Sequence, residues 1–168
     1  MLMRQTRLEP ALTYVSDCGP LVTEGGVTFR VVSHDATAMR LLLYDTVDDL
    51  DPAEVIEFDP DYRQGSVWHV SEKSIGHGTM YHFQADGPRD PERGLWFDRN
   101  TRLIDPYAQA LAGDFQRADD GVLRPPKCVV IDDHYDWRGD RCVQHPLADT
   151  VIYEMHLGVF TKSPTSQV

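Results

Sequence analysis

Along the first ninety positions, apolar residues recur with a period of two more often than with a period of 3.6, which is typical of strands rather than helices. In VTFRVVS (27–33), apolar Val27, Phe29 and Val31 alternate with polar residues after the turn signal Gly-Gly. Further strand-like segments follow, set apart by breaks rich in Pro, Gly and Asp: 38–45, 53–58, 66–71 and 79–86. Short strands at near-regular spacing predict an antiparallel sandwich or a small barrel.

The pattern changes between residues 96 and 147, where Pro, Asp and Arg become frequent and alternation fades. We interpret this region as an ordered but irregular connector that lies against the sandwich. KCVVID (127–132) is the exception and predicts a strand. DPYAQALAG (105–113) has a helix-like composition, and its Pro106 suits the first turn of a helix.

A last apolar segment, TVIYEMHLGVF (150–160), predicts another strand. One face would be wholly apolar, while the other would carry Glu154 and His156. Parallel strands that are covered on both faces bury polar groups only where those groups are paired or functional. A strand with open edges also favours pairing between chains, so we expect either disorder after Pro146 or a dimer formed through 150–160.

Charge and cysteine usage narrow the functional classes. The chain has 16 Lys and Arg against 27 Asp and Glu, a formal net charge of −11, which disfavours nucleic-acid binding and anionic membrane surfaces. No apolar run is long enough for a membrane span or a signal-peptide core. Three widely spaced cysteines, Cys18, Cys128 and Cys142, indicate free thiols in a reducing compartment, so we expect a cytoplasmic protein. A neutral ligand such as a sugar is not repelled.

Aromatic side chains are the candidates for sugar contact, because a ring face stacks on the C–H face of a sugar. The candidate carbohydrate-binding residues are Trp96, Tyr81 and Trp68. Trp68 and Tyr81 lie in strand-like segments, where core packing is the alternative. Trp96 follows a turn, where packing of the connector is the alternative. Trp137 is expected to hold the connector against a domain.

No catalytic or metal site is predicted. DDHYD (132–136), with His145 nearby, offers carboxylates and imidazoles, but it lacks EF-hand and zinc spacing, and turn formation explains it. Cys128 fits a buried strand position, and the Ser and His residues show no G-x-S-x-G elbow. We therefore expect neither a metal nor another cofactor.

Several longer segments resemble one family. GVTFRVVSHDATAMRLLLYD resembles the first hairpin of carbohydrate-binding module family 48, and SVWHVSEKSIGHGTMYHFQADGPRDPERG is similar to its later strands. RNTRLIDPYAQALAG and PKCVVIDDHYDW followed by DTVIYEMHLGVF resemble the connector that leads isoamylase-type glycogen debranching enzymes into their catalytic barrel. The resemblance extends from residue 12 to residue 168.

The resemblance implies an all-β protein with an immunoglobulin-like antiparallel β-sandwich over residues 12–98 and a connector over 99–148. Residues 149–168 would then be the first strand and loop of a family 13 glycoside hydrolase barrel. A (β/α)₈ barrel needs about 250 residues, so we expect the chain to be the N-terminal part of a larger enzyme.

The resemblance also implies function. Such enzymes cleave α-1,6 branch linkages with an Asp nucleophile and a Glu acid/base on later barrel strands, and the motifs that carry them do not occur in this sequence. The chain should therefore be non-catalytic, with Glu154 as a buried polar residue of the barrel. Its expected partners are the barrel of the same parent chain and α-glucan such as glycogen or amylopectin. Isoamylase-type members often carry Arg-Phe at the position of Trp96, so the resemblance adds little support for sugar contact there.

Two alternatives remain open at this point. The chain could be an autonomous glycogen-binding module without hydrolase activity. It could equally be an interaction domain that holds the barrel and has no affinity for sugar.

Overall fold

The computed structural model describes residues 18–117 and 121–166. The chain divides into two compact units, one ending at Asp133 and the other beginning at His134. The strands of the first unit, in chain order, are β1 (Gly19–Thr23), β2 (Gly26–Val32), β3 (Ala38–Tyr44), β4 (Glu54–Glu57), β5 (Val67–Glu72), β6 (Met80–Asp86), β7 (Arg89–Asp90), β8 (Leu95–Trp96), β9 (Ala110–Ala112), β10 (Gln116–Arg117), β11 (Leu123–Arg124) and β12 (Lys127–Val129).

Two antiparallel sheets form the body of the first unit. One has five strands in the order β4-β3-β6-β12-β9, and the other has three in the order β1-β2-β5. The pairs β7-β8 and β10-β11 form two short ribbons. The predicted all-β, immunoglobulin-like antiparallel sandwich is confirmed. All five alternating segments of the first ninety residues form strands, while β1 was not predicted.

The core lies between the two sheets and is made by alternate residues of their strands. Phe29 of β2 meets Tyr81 of β6 edge to face, with ring centroids 4.9 Å apart, and Tyr81 meets Phe83 at 5.6 Å. The other buried apolar side chains of this cluster include Val27, Val31, Met39, Leu41, Leu43, Phe58, Trp68, Val70, Cys128 and Val130. Burying one large apolar side chain contributes about 1.5–3 kcal/mol, so this cluster supplies the main stabilisation of the sandwich.

The outer face of the three-stranded sheet carries polar side chains that are nevertheless buried. Arg30 and His69 lie opposite each other in the β2-β5 ladder, and the Thr28 and Ser71 hydroxyls lie 2.8 Å apart. The ring of Tyr62 stacks on His69 with centroids 6.0 Å apart. Burial, and then the neighbouring Arg30 charge, lowers the pKa of His69. The imidazole is therefore held neutral against the sheet.

Gly26 opens β2 at the tight turn from β1, and its position cannot accept a side chain. Its φ is +123°, and a Cβ there would lie 2.2 Å from the carbonyl oxygen of Glu72. Glycine is required because the backbones of β2 and β5 approach each other at this point.

The connector is more strand-like than its sequence predicts. Residues 105–113, expected to be helical, form a turn at Asp105 followed by β9, which pairs with β12 through Ala110–Ala112. The helix prediction is wrong because Asp105 is drawn into the core and the chain after it completes a sheet; tertiary pairing overrides local propensity. The strand predicted in KCVVID is confirmed as β12, which lies between β6 and β9.

The second unit, described from His134 to Ser166, contains a 3₁₀ helix at Leu147–Asp149 and a single helical turn, α1 (Leu157–Phe160). The strand predicted over 150–160 is not formed, since residues 150–156 make no β-ladder with any other described residue and Val151 is 95% exposed. A strand needs a hydrogen-bonded neighbour, and the described chain provides none. The dimer predicted through this segment therefore finds no support.

Candidate functional site

Trp96 lies on a compact ribbon that projects its ring into solvent. The side chain of Asp90 caps the 3₁₀ helix Pro91–Arg93 by accepting a hydrogen bond from the Arg93 N–H at 3.4 Å, and Gly94 ends that helix in the left-handed conformation with φ 77°. The chain then returns as β8, where Trp96 pairs with Arg89 of β7. Trp96 is 65% exposed. The DPERG segment thus builds a tight return that leaves a large aromatic side chain at the surface.

An open pocket of about 330 Å³ lies beside this ring. Its walls are mostly apolar, with the Asp98 and Thr101 side chains as its polar groups; the lining residues are Ala85, Gly94, Leu95, Trp96, Phe97, Asp98, Thr101 and Leu103. Phe97 is fixed by close packing over Gly87, where a Cβ would lie 2.7 Å from the Phe97 ring. An apolar wall with a few polar groups beside an exposed indole suits a neutral ligand with both C–H faces and hydroxyls.

Arg89 is the charged group next to this ring. Its guanidinium carbon lies 6.0 Å from the centroid of the Trp96 ring, at the outer limit of a cation–π contact. Both side chains are exposed, and they are direct partners in the β7-β8 ladder.

The other two predicted sugar-contact residues are core residues. Trp68 is 1% exposed; its indole N–H donates to the Ser33 carbonyl at 3.2 Å, and the Arg63 guanidinium lies 4.9 Å from its ring centroid. Tyr81 is fully buried. Neither ring offers a free face, so contact with a sugar would require the sandwich to open. Of the three candidates, Trp96 alone is placed where a ligand can reach it.

A buried polar network surrounds Tyr81 and was not predicted. Its hydroxyl donates to a carboxylate oxygen of Asp105 at 2.7 Å, and the second carboxylate oxygen accepts the Tyr107 N–H at 2.8 Å. The Asp105 N–H donates to the Cys128 sulfur at 3.2 Å. Asp105 is 2% exposed. These bonds attach the start of the connector to β6 and β12, so the network is structural.

Burial dominates the electrostatics of this network. It raises the pKa of Asp105, although the Tyr107 N–H and the Tyr81 hydroxyl act in the opposite direction. Burial, and then the Asp105 charge, also raises the pKa of Tyr81. Burial raises the pKa of the Cys128 thiol to about 11, which makes this cysteine a poor nucleophile.

A second polar cluster lies on the outer face of the five-stranded sheet. His82 Nε2 lies 2.9 Å from the Pro126 carbonyl, which can only accept, so Nε2 carries the proton and Nδ1 accepts from the Tyr44 hydroxyl at 3.2 Å. Lys127 donates to the carbonyls of Val47 and Asp49 at 2.5 and 2.8 Å. Burial lowers the pKa of both His82 and Lys127. Each group already has protein partners, and the cluster holds the β3-β4 loop in place.

The remaining candidates lie near or beyond Asp133. Trp137 is 66% exposed, and within the second unit its ring meets Tyr135 edge to face at 4.9 Å. The Asp136 carboxylate accepts the Arg138 N–H at 2.8 Å, as expected of a turn-forming aspartate, whereas the Asp132 N–H donates to the distant His77 Nδ1 at 3.0 Å. Residues 18–117 and 121–166 contain no group of three or more His, Cys, Asp or Glu side chains that could hold a metal ion.

Within the same described ranges, no helix has both the length and the apolar character needed to cross a membrane.

Comparison with known proteins gives consistent results. The chain is 38% identical over 163 residues to isoamylase 1, chloroplastic, of Oryza sativa subsp. japonica, a match that covers 89% of this chain and 20% of that protein. It is 34% identical over 149 residues to the glycogen debranching enzyme of Yersinia enterocolitica, covering 82% of this chain and 22% of that protein. The chain therefore spans about a fifth of the length of the curated relatives that it matches.

Solved structures show the same fold. A multi-modular glycogen-degrading pneumococcal virulence factor, SpuA, superposes with a TM-score of 0.55 at 18% identity, over 71% of this chain and 12% of that one. At this level of identity the likeness concerns the fold alone. The family described as carbohydrate-binding module 48 (isoamylase N-terminal domain) matches residues 13–108, more than half of the sequence, and this chain belongs to that family.

Proposed function

We propose that this chain is the non-catalytic N-terminal module of a debranching enzyme that hydrolyses α-1,6 branch linkages of glycogen or starch. The proposal is supported by membership of the module family and by relatives that carry the names isoamylase and glycogen debranching enzyme. Each relative extends well beyond the matched part, which leaves room for a separate catalytic domain in the parent. The purified chain should therefore release no reducing sugar from amylopectin above a buffer blank.

Within this role, we propose that the module contacts α-glucan at the pocket beside Trp96. The observation that carries this proposal is the pairing of an exposed Trp96 with a mostly apolar pocket of about 330 Å³ whose lining includes Asp98 and Thr101. α-Glucan is neutral, so the formal charge of −11 does not oppose its approach. The pocket has the volume of a small-ligand site, about 300–1,000 Å³.

Affinity electrophoresis in gels that contain glycogen tests this contact. The wild-type chain should be retarded, Trp96→Ala should lose most of the retardation, and Trp137→Ala should keep it. The two tryptophans are a matched pair because their exposed fractions are 65% and 66%. Equal loss in both variants would indicate non-specific stickiness, and unretarded wild type at saturating glycogen would overturn sugar binding by this module.

We further propose that residues beyond Asp133 join the module to the catalytic barrel of the same parent chain, with 149–168 forming the first strand and loop of that barrel. Support comes from the apolar side chains that this unit exposes, among them Val143, Leu147, Val151, Ile152 and Tyr153, each at least 74% exposed. In the parent enzyme these residues should become strongly protected from hydrogen exchange relative to the 168-residue chain. Equal exchange in both would contradict the proposal.

An autonomous glycogen-binding module is the second candidate, favoured by the self-contained sandwich that ends at Asp133. An antibody against this chain, used on lysate of the source cells, separates the two. A band several times heavier than 19.1 kDa supports the debranching-enzyme module, and a band at 19.1 kDa supports the autonomous module.

We also propose a reducing compartment such as the cytoplasm. It is supported by Cys18, Cys128 and Cys142, none of which forms a disulfide in the structure. Thiol quantification on protein purified without reductant tests it, and a disulfide in freshly isolated material would contradict it.

A further inference from the structure

We propose that Arg89 is a positioning residue for the sugar contact: its guanidinium lies over the Trp96 indole and holds the ring in place at the wall of the pocket. This inference rests on the proposed contact of α-glucan with Trp96. It assigns a role to a residue outside the pocket.

The arrangement of the two side chains carries the inference. Arg89 lies over the indole, 6.0 Å from its centroid, yet it is absent from the residues that line the pocket. Trp96 itself does line the pocket. The guanidinium therefore contacts the ring from outside the pocket lining, and a ligand in the pocket need not displace it.

The backbone of the β7-β8 ribbon places the Arg89 and Trp96 side chains next to each other. Arg89 and Trp96 are direct partners in the antiparallel β7-β8 pair, so both side chains leave the ribbon on the same face. Two features of the return between them fix the ribbon: the Asp90 cap and the left-handed Gly94. The chain thus holds the cation beside the ring through its strand register rather than through a flexible loop.

A contact that holds the Trp96 ring lowers the entropic cost of ordering this side chain when a ligand binds. Because Trp96 is 65% exposed, its ring has few protein neighbours to hold its rotamer, and ordering a side chain on binding costs about 0.5–1.5 kcal/mol. A cation–π contact at an exposed site offsets part of that cost before the ligand arrives. Loss of the contact should weaken glycogen binding by about two- to fivefold, which corresponds to about 0.5–1 kcal/mol.

The test compares three single variants on the 168-residue chain. Arg89→Met keeps the length of the side chain and removes its charge, and Arg89→Lys restores a cation that can lie over the ring. Arg93→Met is the matched control, because Arg93 is also an exposed arginine of the same ribbon but makes no described contact with the indole. All substituted side chains are exposed, so the fold should be unaffected, and circular dichroism checks this.

Two readouts are measured. The first is the dissociation constant for glycogen from affinity gels. The second is acrylamide quenching of tryptophan fluorescence in a Trp137→Phe background, where Trp68 is buried and Trp96 is the accessible emitter. We expect Arg89→Met to weaken binding two- to fivefold and to increase quenching, Arg89→Lys to recover at least half of both effects, and Arg93→Met to match the wild type.

The possible failures are distinguishable. If the wild type binds glycogen and Arg89→Met binds equally well, the role of Arg89 is refuted while the sugar contact stands. If Arg89→Lys is as weak as Arg89→Met, the cation is not what holds the ring. If the wild type does not bind glycogen, the proposed sugar contact and the role of Arg89 are both refuted.

Discussion

Removing the Tyr81 hydroxyl tests whether the buried Asp105 network holds the connector to the sandwich. Tyr81→Phe keeps the ring, and with it the edge contacts to Phe29 and Phe83 at 4.9 and 5.6 Å, so no cavity forms. The substitution removes one donor at 2.7 Å from a carboxylate that is 2% exposed. Hydrogen bonds to charged groups contribute about 1.5–3 kcal/mol, so the free energy of unfolding at pH 7 should fall by that amount.

The effect should depend on pH in a defined direction. Burial raises the pKa of Asp105 above its ordinary value, so the folded protein binds this proton more tightly than the unfolded chain does. The contribution of Asp105 to stability is therefore lost as pH rises through the window between the ordinary and the raised pKa. Once Asp105 is protonated, the bond to Tyr81 joins two neutral groups and contributes about 0.5–1.5 kcal/mol. The penalty of Tyr81→Phe should accordingly be smaller at pH 4 than at pH 7.

Urea unfolding followed by tryptophan fluorescence measures both values, because the buried Trp68 becomes exposed on unfolding. Tyr135→Phe is the control, because its hydroxyl lies on a ring that is 67% exposed and is solvated in both states. Its free energy of unfolding should stay within about 0.5 kcal/mol of wild type. A Tyr81→Phe loss below that limit at pH 7, or a loss that grows on acidification, would refute the reasoning.

Three further predictions concern a turn, a histidine and a thiol. Gly26→Ala should lower the free energy of unfolding by more than about 3 kcal/mol, because its Cβ would meet the backbone of β5. Gly65→Ala, where φ is +60° and no atom lies within 4 Å of the added Cβ, should lower it by only about 1–2 kcal/mol, and thermal melts of both variants test the difference. Burial lowers the pKa of His82, so as pH falls the unfolded chain binds this proton before the folded protein does. The free energy of unfolding should therefore decrease as pH drops below about 6.5. His82→Gln, which retains one donor and one acceptor, should weaken that pH dependence in urea titrations from pH 7.5 to 5. In native protein at pH 8, a maleimide should label the exposed Cys142 within minutes. Cys128, whose pKa is about 11, should stay unlabelled until denaturant is added. Mass mapping of the labelled peptides measures this, and simultaneous labelling of both cysteines would contradict it.

The strands of the sandwich could be predicted because each carries its own signal. Val27, Phe29 and Val31 alternate with polar positions, and the structure buries these three side chains in the core. The strand β1 has no comparable alternation, and it exists because its backbone pairs with β2 from Gly19 to Thr23. Backbone pairing leaves little trace in local composition, so such a strand is found only when its neighbour is known.

The candidate site could be predicted only in part. Trp96 was a candidate for sugar contact, with packing of the connector as the alternative; the structure exposes its side chain, and contact with a sugar stays a prediction. The contribution of Arg89 depends on strand register across the ribbon, which seven residues of separation in sequence do not reveal. The role of Asp105 could not be predicted either, because its local sequence indicates something else. A DP pair is an ordinary turn signal, and nothing local indicates that its carboxylate is buried against Tyr81 and Cys128.

The place of β12 in the five-stranded sheet has a consequence for synthesis on the ribosome. β6 ends at Asp86 and can pair with β3 at once, but its other edge acquires β12 only when Lys127–Val129 has been made. At ~5–20 residues per second, the roughly 40 intervening residues take about 2–8 s to add. During that interval the nascent chain carries β6 with an open edge, which a second nascent chain could pair with. Slow codons between these two strands should therefore lower the soluble yield, and faster codons should raise it.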